Sequence, residues 1–292
     1  MLVKELTSST TRTNVGRFKT IREQRKPNMN NLNPSTESQT REANDPHFTA
    51  QTFSSNKRVI LTMGGKGGVG KTSFMLVLAE WFENHDVSFT LLDLDTENKA
   101  RGSLKHYFKN TAHKINIHTP AGLDAFIDYL EEGSPIILAD MGAGSGEVTH
   151  EWFDTMHDDV AAIGVCFTAV GIVTPDPASV ESVLSWASRL QDRVSYLIVE
   201  NANTPQADFS YWRDSEQAQQ FRNIFQPIVL AMKFRLPELE NPARQHGATL
   251  GQILSRSVKV PELQKTSLVM RANTYRRLLF EELETAKDLL LP

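Results

Sequence analysis

The sequence of 292 residues has a single cysteine, Cys166, and no long uninterrupted apolar segment. One thiol cannot build a disulfide framework or a four-thiolate metal site, which favours a reducing compartment. The longest uncharged run, residues 160–175, is interrupted by glycine and is shorter than the roughly 20 apolar residues that span a bilayer. Glu5 lies where a secretory signal has its apolar core. We therefore expect a cytoplasmic protein without integral membrane insertion.

Positive charge is concentrated near the amino end of the sequence. Residues 1–57 carry 9 Lys+Arg against 5 Asp+Glu, so residues 58–292 carry a net charge of −8. The first segment is rich in Asn, Ser, Thr and Gln and poor in apolar residues, which predicts a disordered basic arm. Residues 17–26 hold five cations. They make DNA a possible partner of the arm, although a solvated arm without a partner is the simpler interpretation.

Residues 58–292 alternate short β-branched apolar runs with segments of helical period. This pattern predicts one α/β domain with a doubly wound, mostly parallel sheet of about seven strands and helices on both faces. The expected strands cover residues 58–63, 88–94, 115–119, 135–141, 161–170, 194–200 and 227–234. The expected helices cover residues 71–84, 120–132, 176–190, 211–224 and 261–290. Cys166 falls in an expected strand and is predicted to be buried.

Residues 65–72 read GKGGVGKT, which satisfies the phosphate-loop pattern G-x-x-x-x-G-K-[ST] between an expected strand and an expected helix. The glycines let backbone N–H groups converge on phosphates at a helix N-terminus. Lys71 would supply a point charge and the Thr72 hydroxyl an oxygen ligand for Mg²⁺. A Gly-rich dinucleotide loop has no role for the Lys–Thr pair. The expected nucleotide-binding residues here are Gly65, Lys66, Gly67, Gly68, Val69, Gly70, Lys71, Thr72 and Ser73.

The second lysine of this loop, Lys66, gives the stretch KGGVGKT, which resembles the deviant Walker ATPases of the ParA/MinD group. That group includes relatives from plasmid partition and conjugative transfer. The resemblance implies a SIMIBI-like P-loop NTPase fold, ATP and Mg²⁺ as cofactors, and catalytic roles for Lys66 and Lys71. It also implies a homodimer that encloses two ATP molecules, in which Lys66 reaches the partner's nucleotide. From the residues alone, a solvated loop lysine is the alternative interpretation of Lys66.

Two acidic segments lie where the resemblance places its switches. In LLDLDTENKA, Asp93 would lie near the metal and Asp95 would orient the attacking water, and a pair of loop acids capping a helix is the alternative. In IILADMGAG, Asp140 would hold Mg²⁺ through water, and Gly142 and Gly144 would lie near the γ-phosphate. Here Gly142 replaces the proline usual in the family, which leaves the geometry of this switch open.

An asparagine follows the sixth expected strand in IVENAN, where the family commonly places the residue that reads adenine. A side-chain amide can pair with the donor and acceptor edge of a purine. Asn201 matches this position best and Asn203 is the alternative. An Asn-rich turn without a ligand also explains the segment.

Three functions are compatible with these motifs. The first is an ATP-driven dimerisation switch in partition, transfer or maintenance of a plasmid or similar element, with slow hydrolysis until a protein partner activates it. The second is an adaptor ATPase for an envelope or polysaccharide-secretion complex. The third is a P-loop kinase, although the only adjacent arginines, Arg276 and Arg277, lie in the last helix. Iron–sulfur carriers are excluded by the single cysteine, and the acidic C-terminal segment ETAKDLLLP argues against membrane-targeted relatives.

Overall fold

The computed structural model describes residues 57–95 and 102–292. The predicted basic arm therefore lies outside the described residues, apart from Lys57. The described residues form a seven-stranded sheet of order β3-β2-β4-β1-β5-β6-β7 in which all neighbours are parallel. The predicted doubly wound α/β fold is confirmed. The strands are β1 Lys57–Met63, β2 Phe89–Leu94, β3 Ala112–Lys114, β4 Ile136–Met141, β5 Val165–Val173, β6 Ser195–Asn201 and β7 Ile228–Met232.

The predicted strand at residues 115–119 is wrong, because β3 ends at Lys114. Ile115 and Ile117 are buried, and their alternation resembles a strand. Their burial comes from the apolar core instead of from strand pairing. The chain turns at Asn116, whose carbonyl accepts a hydrogen bond from the Thr119 N–H (3.2 Å).

Eleven α-helices occur within the described residues. They are α1 Lys71–Asn84, α2 Leu104–Tyr107, α3 Pro120–Glu132, α4 Gly146–Ala162, α5 Pro177–Leu190, α6 Ser210–Asp214, α7 Glu216–Phe225, α8 Pro237–His246, α9 Leu250–Leu254, α10 Thr266–Thr285 and α11 Lys287–Leu290. The helix predicted at residues 211–224 is divided at Ser215, and the final predicted helix begins only at Thr266 and breaks at Ala286. The predicted strand at residues 161–170 starts four residues late because α4 continues to Ala162.

The two faces of the sheet bury separate apolar cores. One core joins the sheet to α1 and to α8–α11, and the other joins it to α3–α7. The central strands are therefore apolar on both sides, as a covered parallel sheet requires. Cys166 is an exception, since it is exposed and the prediction of a buried thiol is wrong. Its neighbours Val165 and Phe167 point into a core, so the two-residue period of β5 directs Cys166 to the opposite face, beside Arg58. None of the helices in the described chain has the length and apolar character needed to cross a bilayer.

A buried carboxylate fastens α1 to the C-terminal helices. Glu80 is only 2% exposed. One of its oxygens accepts the Gly251 N–H at 2.8 Å, and the other pairs with the Arg276 Nε at 3.0 Å. The Arg276 guanidinium also stacks on the Phe280 ring, 4.2 Å from its centroid. The helix that starts at the glycine-rich loop is thereby held in register with α9 and α10.

We expect Glu80→Ala to lower the free energy of unfolding by about 2–4 kcal/mol, because it leaves a guanidinium and an N–H group in the interior without their acceptor. Urea denaturation of the purified protein measures this change. The control is Glu281→Ala, which breaks the exposed pair with Arg277 and should cost less than about 1 kcal/mol. Equal losses in the two variants would show that the Glu80 contacts contribute no more than a surface pair.

Candidate nucleotide-binding site

The predicted phosphate loop joins β1 to α1 at the carboxyl edge of the sheet. Gly70 immediately precedes α1 and has φ +104, a backbone conformation that side chains disfavour. A Cβ atom at this position would also lie 2.5 Å from the Nδ2 atom of Asn201. Gly70 is therefore required both by its backbone angle and by its close neighbour.

Lys71 is the first residue of α1 and is 8% exposed. Its ammonium group donates hydrogen bonds to the carbonyl oxygens of Gly64 and Lys66, each at 3.0 Å. These contacts hold the charge inside the curve of the loop. An anionic phosphate placed there would meet a cation that is already positioned.

The end of β4 meets the start of α1 through a buried hydrogen-bond network. The Thr72 hydroxyl donates to Asp140 Oδ2 at 2.6 Å, and the Thr62 hydroxyl donates to Asp140 Oδ1 at 3.3 Å. Thr62 Oγ1 in turn accepts the Met141 N–H at 2.8 Å. Hydroxyl and carboxylate oxygens are the ligands that Mg²⁺ prefers. The Thr72 and Asp140 side chains therefore fit the predicted metal.

Burial is the main cause that raises the pKa of Asp140, to about 7. The negative charges of Asp93 and Asp95 raise it further. The hydrogen bond from Thr72 and the charge of Lys71 oppose this shift. A divalent cation would reverse the balance, because it favours the ionised carboxylate.

Asp93 lies beside Asp140 in the register of β2 and β4 and is fully buried. Both of its oxygens accept backbone N–H groups, one from Lys105 at 2.8 Å and one from Asp95 at 3.3 Å. In the described part of the chain, no group of three His, Cys, Asp or Glu side chains is placed to hold a metal ion. The Asp93 carboxylate therefore joins Asp95 to Lys105, and its part in metal binding stays a prediction.

Asp95 packs against the backbone that follows β4 and is 7% exposed. A Cβ atom on Gly142 would lie 2.8 Å from Asp95 Oδ1 and 3.1 Å from Asp95 Cα. The φ of Gly142 is −66°, which proline would accept. A proline at this position would therefore require Asp95 to shift, although the backbone conformation itself would accept it.

Two residues of the α5 region contact the loop, and the sequence did not identify either as a site residue. The Ser182 hydroxyl accepts hydrogen bonds from the N–H groups of Gly65 (2.5 Å) and Lys66 (3.1 Å). Asp176, which caps α5, forms an ion pair with the Lys66 ammonium at 3.1 Å. The Asp-Pro pair at residues 176–177 does predict a helix start, but no local signal places α5 against the loop.

Asn201 ends β6 behind the loop, where its amide donates to the Val69 carbonyl at 2.8 Å. Asn203 is exposed. The structure thus brings Asn201 to the loop. The assignment of the adenine-reading residue to Asn201, with Asn203 as the alternative, stays a prediction. The predicted site residues lie together at the carboxyl edge of the sheet. They are the residues of the loop together with Asp93, Asp95, Asp140 and Asn201.

No family model matches the chain, and no curated protein matches it by sequence. Among solved structures, it is similar to the MinC:MinD cell division protein complex of Aquifex aeolicus, with 12% identity, a TM-score of 0.45, and coverage of 80% of this chain and 98% of that chain. It is also similar to the septum site-determining protein MinD of Pyrococcus horikoshii OT3 complexed with Mg-ADP, with 14% identity, a TM-score of 0.48, and coverage of 79% and 97%. A third match is the 54 kDa signal recognition particle protein of Aeropyrum pernix K1 in complex with GDP, with 15% identity, a TM-score of 0.38, and coverage of 83% and 54%. These three TM-scores are below 0.5, so the interpretation of the site rests on the contacts described above.

The raised pKa of Asp140 predicts how stability depends on pH without Mg²⁺. The pKa is about 7 in the folded protein and about 4 in an unfolded chain, so the folded state binds the proton more tightly. The contribution of Asp140 to the free energy of unfolding is then fully present below about pH 4 and is lost as the pH rises to about 7. Urea denaturation in EDTA across this range, compared with Asp140→Asn, isolates the effect. Parallel curves for the two proteins would contradict the shift.

Proposed function

We propose that the protein is a Mg²⁺-dependent ATPase of the ParA/MinD type that forms a closed dimer on binding ATP. The observation that supports this most directly is the arrangement of Lys71, Thr72 and Asp140. A buried cation, a hydroxyl and a carboxylate meet where a glycine-rich loop enters a helix. Few functions other than the binding of a nucleoside triphosphate with its metal ion require this combination of side chains.

The chain's own groups would divide the work in the following way. The loop N–H groups and Lys71 hold the phosphates, while Thr72 and Asp140 hold Mg²⁺. When bound, Mg²⁺ neutralises charge on the phosphates. Asp95 would orient the attacking water, and it lies close to Gly142. Asn201 lies on the other side of the loop, on the expected adenine side.

Lys66 is proposed to switch partners between monomer and dimer. In the single chain it pairs with Asp176, and the two side chains are 44% and 47% exposed. Exposed pairs of this kind contribute about 0–1 kcal/mol, so releasing Lys66 costs little. It would then reach the nucleotide of a second copy, whose bound phosphates would attract it more strongly.

The kinase alternative is weakened by the arginines it would need. Arg276 pairs with buried Glu80, and Arg277 pairs with Glu281 on the same helix. Arg276 is thus paired with an acid of α1 and Arg277 with an acid of α10, so neither forms a lid over the loop. We therefore favour water as the phosphoryl acceptor.

Within the switch ATPases, we favour partition, transfer or maintenance of a plasmid or similar element, with an envelope or polysaccharide-secretion adaptor as the second candidate. The support is the loop sequence with Lys66 and the acidic segments, together with the basic arm outside the described residues. An activating protein partner and DNA binding by that arm belong to the same proposal. A neighbouring gene for a centromere-binding protein or relaxase would support the first role, and an envelope synthase gene the second.

Calorimetry and nucleotide-dependent light scattering together distinguish the proposed roles of Lys71 and Lys66. Lys71→Ala should weaken Mg-ATP binding by at least about a hundredfold in calorimetry, because charge-assisted contacts to phosphate are lost. Lys66→Ala should keep ATP binding but stay monomeric in light scattering, whereas Asp176→Asn should dimerise at lower ATP than wild type. The control is exposed Lys259→Ala, which should behave as wild type. Unchanged ATP affinity in Lys71→Ala would refute the assignment, and a Lys66→Ala dimer would refute the proposed switch.

Asp95→Ala should bind Mg-ATP as wild type does but hydrolyse it at least about tenfold more slowly, so that the closed dimer accumulates. The reason is that removing a group used only in the transition state lowers turnover without weakening ground-state binding. Phosphate release and sizing on the same samples measure both effects. Normal hydrolysis in this variant would mean that Asp95 only packs against Gly142.

A further inference from the structure

A groove beside the edge strand β7 combines apolar side chains with unpaired positive charge. This β7–α10 groove lies between the segment that follows β7 and one face of α10. It encloses about 290 Å³. Its apolar side chains include Phe234, Leu236, Met270 and Leu278, and its cations include Lys233 and Arg271. None of these residues belongs to the nucleotide site described above.

The apolar part of the groove is incompletely covered. Met270 is 65% exposed, the largest exposure among the large apolar side chains of the described residues. Methionine is flexible and polarisable, so it adapts to different apolar partners. Arg235 and Tyr275 form the base of the groove, where the guanidinium lies 5.1 Å from the ring centroid and pairs with Glu240. The charge of Arg235 is thus neutralised within the chain, whereas Met270 remains exposed at the groove.

The groove carries positive charge, whereas residues 58–292 as a whole are acidic. Residues 58–292 carry a net −8, yet Lys233 and Arg271 are exposed and form no ion pair with any described residue. Arg235, the third cation, is already neutralised by Glu240. Two free cations beside apolar side chains complement a ligand that carries carboxylates next to an apolar group.

We propose that the β7–α10 groove binds an acidic peptide segment of a protein partner, with an apolar side chain of that segment seated beside Met270 and its carboxylates paired with Lys233 and Arg271. Duplex DNA fits the same surface less well. DNA binding gains its affinity from several phosphate contacts at once, and the acidic body would oppose it. The apolar side chains of the groove contribute nothing to phosphate recognition, whereas apolar anchors contribute strongly to peptide binding.

The test starts from a random dodecapeptide library displayed on phage and selected on the full chain without nucleotide, so its outcome is independent of the proposed ATPase. Counter-selection uses the Met270→Ser, Arg271→Glu double variant. We expect the enriched sequences to combine Asp or Glu with at least one large apolar residue. Enrichment of basic sequences, or no enrichment over the counter-selection, would overturn the proposal.

Synthetic peptides from the selection then measure the groove directly by fluorescence anisotropy. Arg271→Glu and Met270→Ser should each weaken binding by about tenfold. The first reverses the charge that would pair with a peptide carboxylate, and the second removes the apolar contact with the peptide. Lys259→Glu, an exposed lysine outside the groove, is the charge-matched control and should leave affinity unchanged. Equal losses in Lys259→Glu would show non-specific attraction. Tighter binding of a short DNA duplex, lost in the same two groove variants, would assign the groove to nucleic acid and overturn the peptide proposal.

Discussion

The hydrogen bond between Thr72 and the buried carboxylate of Asp140 is the contact on which the rest of the site depends. It joins the first turn of α1 to the end of β4, two elements far apart in sequence. Asp140 is 1% exposed. Ionising its carboxyl group there costs free energy unless hydrogen-bond donors or a cation lie beside it. The fold supplies Thr72 and Thr62 hydroxyls for the carboxylate and holds Lys71 nearby. Phosphate and metal would complete an environment that is already arranged for them.

Parallel strand order explains why these groups meet. The strands β2, β4 and β1 are neighbours, so the residues at their carboxyl ends converge at one edge. Asp93 and Asp140 share a register position, and the loop after β1 opens beside them. On the other side of β1, β5 leads into α5, which delivers Asp176 and Ser182 to the same loop. The site is therefore a property of the sheet edge rather than of the glycine-rich loop alone.

The sequence predicted the sheet and most of the site because each signal was local. Uninterrupted apolar runs marked the buried strands, and the loop pattern carried its own spacing. The errors came from features that only tertiary packing determines. Ile115 and Ile117 are buried without forming a strand, and Cys166 is exposed because its side of β5 lacks cover at that end. Asp176 and Ser182 had no chemical signal beyond helix capping, since their contacts with the loop join residues more than 100 positions apart.

Gly142 shows how a departure from a family pattern can be understood from one contact. A proline there would keep the backbone angle but would place ring atoms where Asp95 packs. The lack of a side chain at position 142 lets Asp95 approach the segment that follows Asp140, so the two acidic segments are in direct contact. A movement of either segment would then displace the other through packing alone, because a close-packed interior transmits displacement.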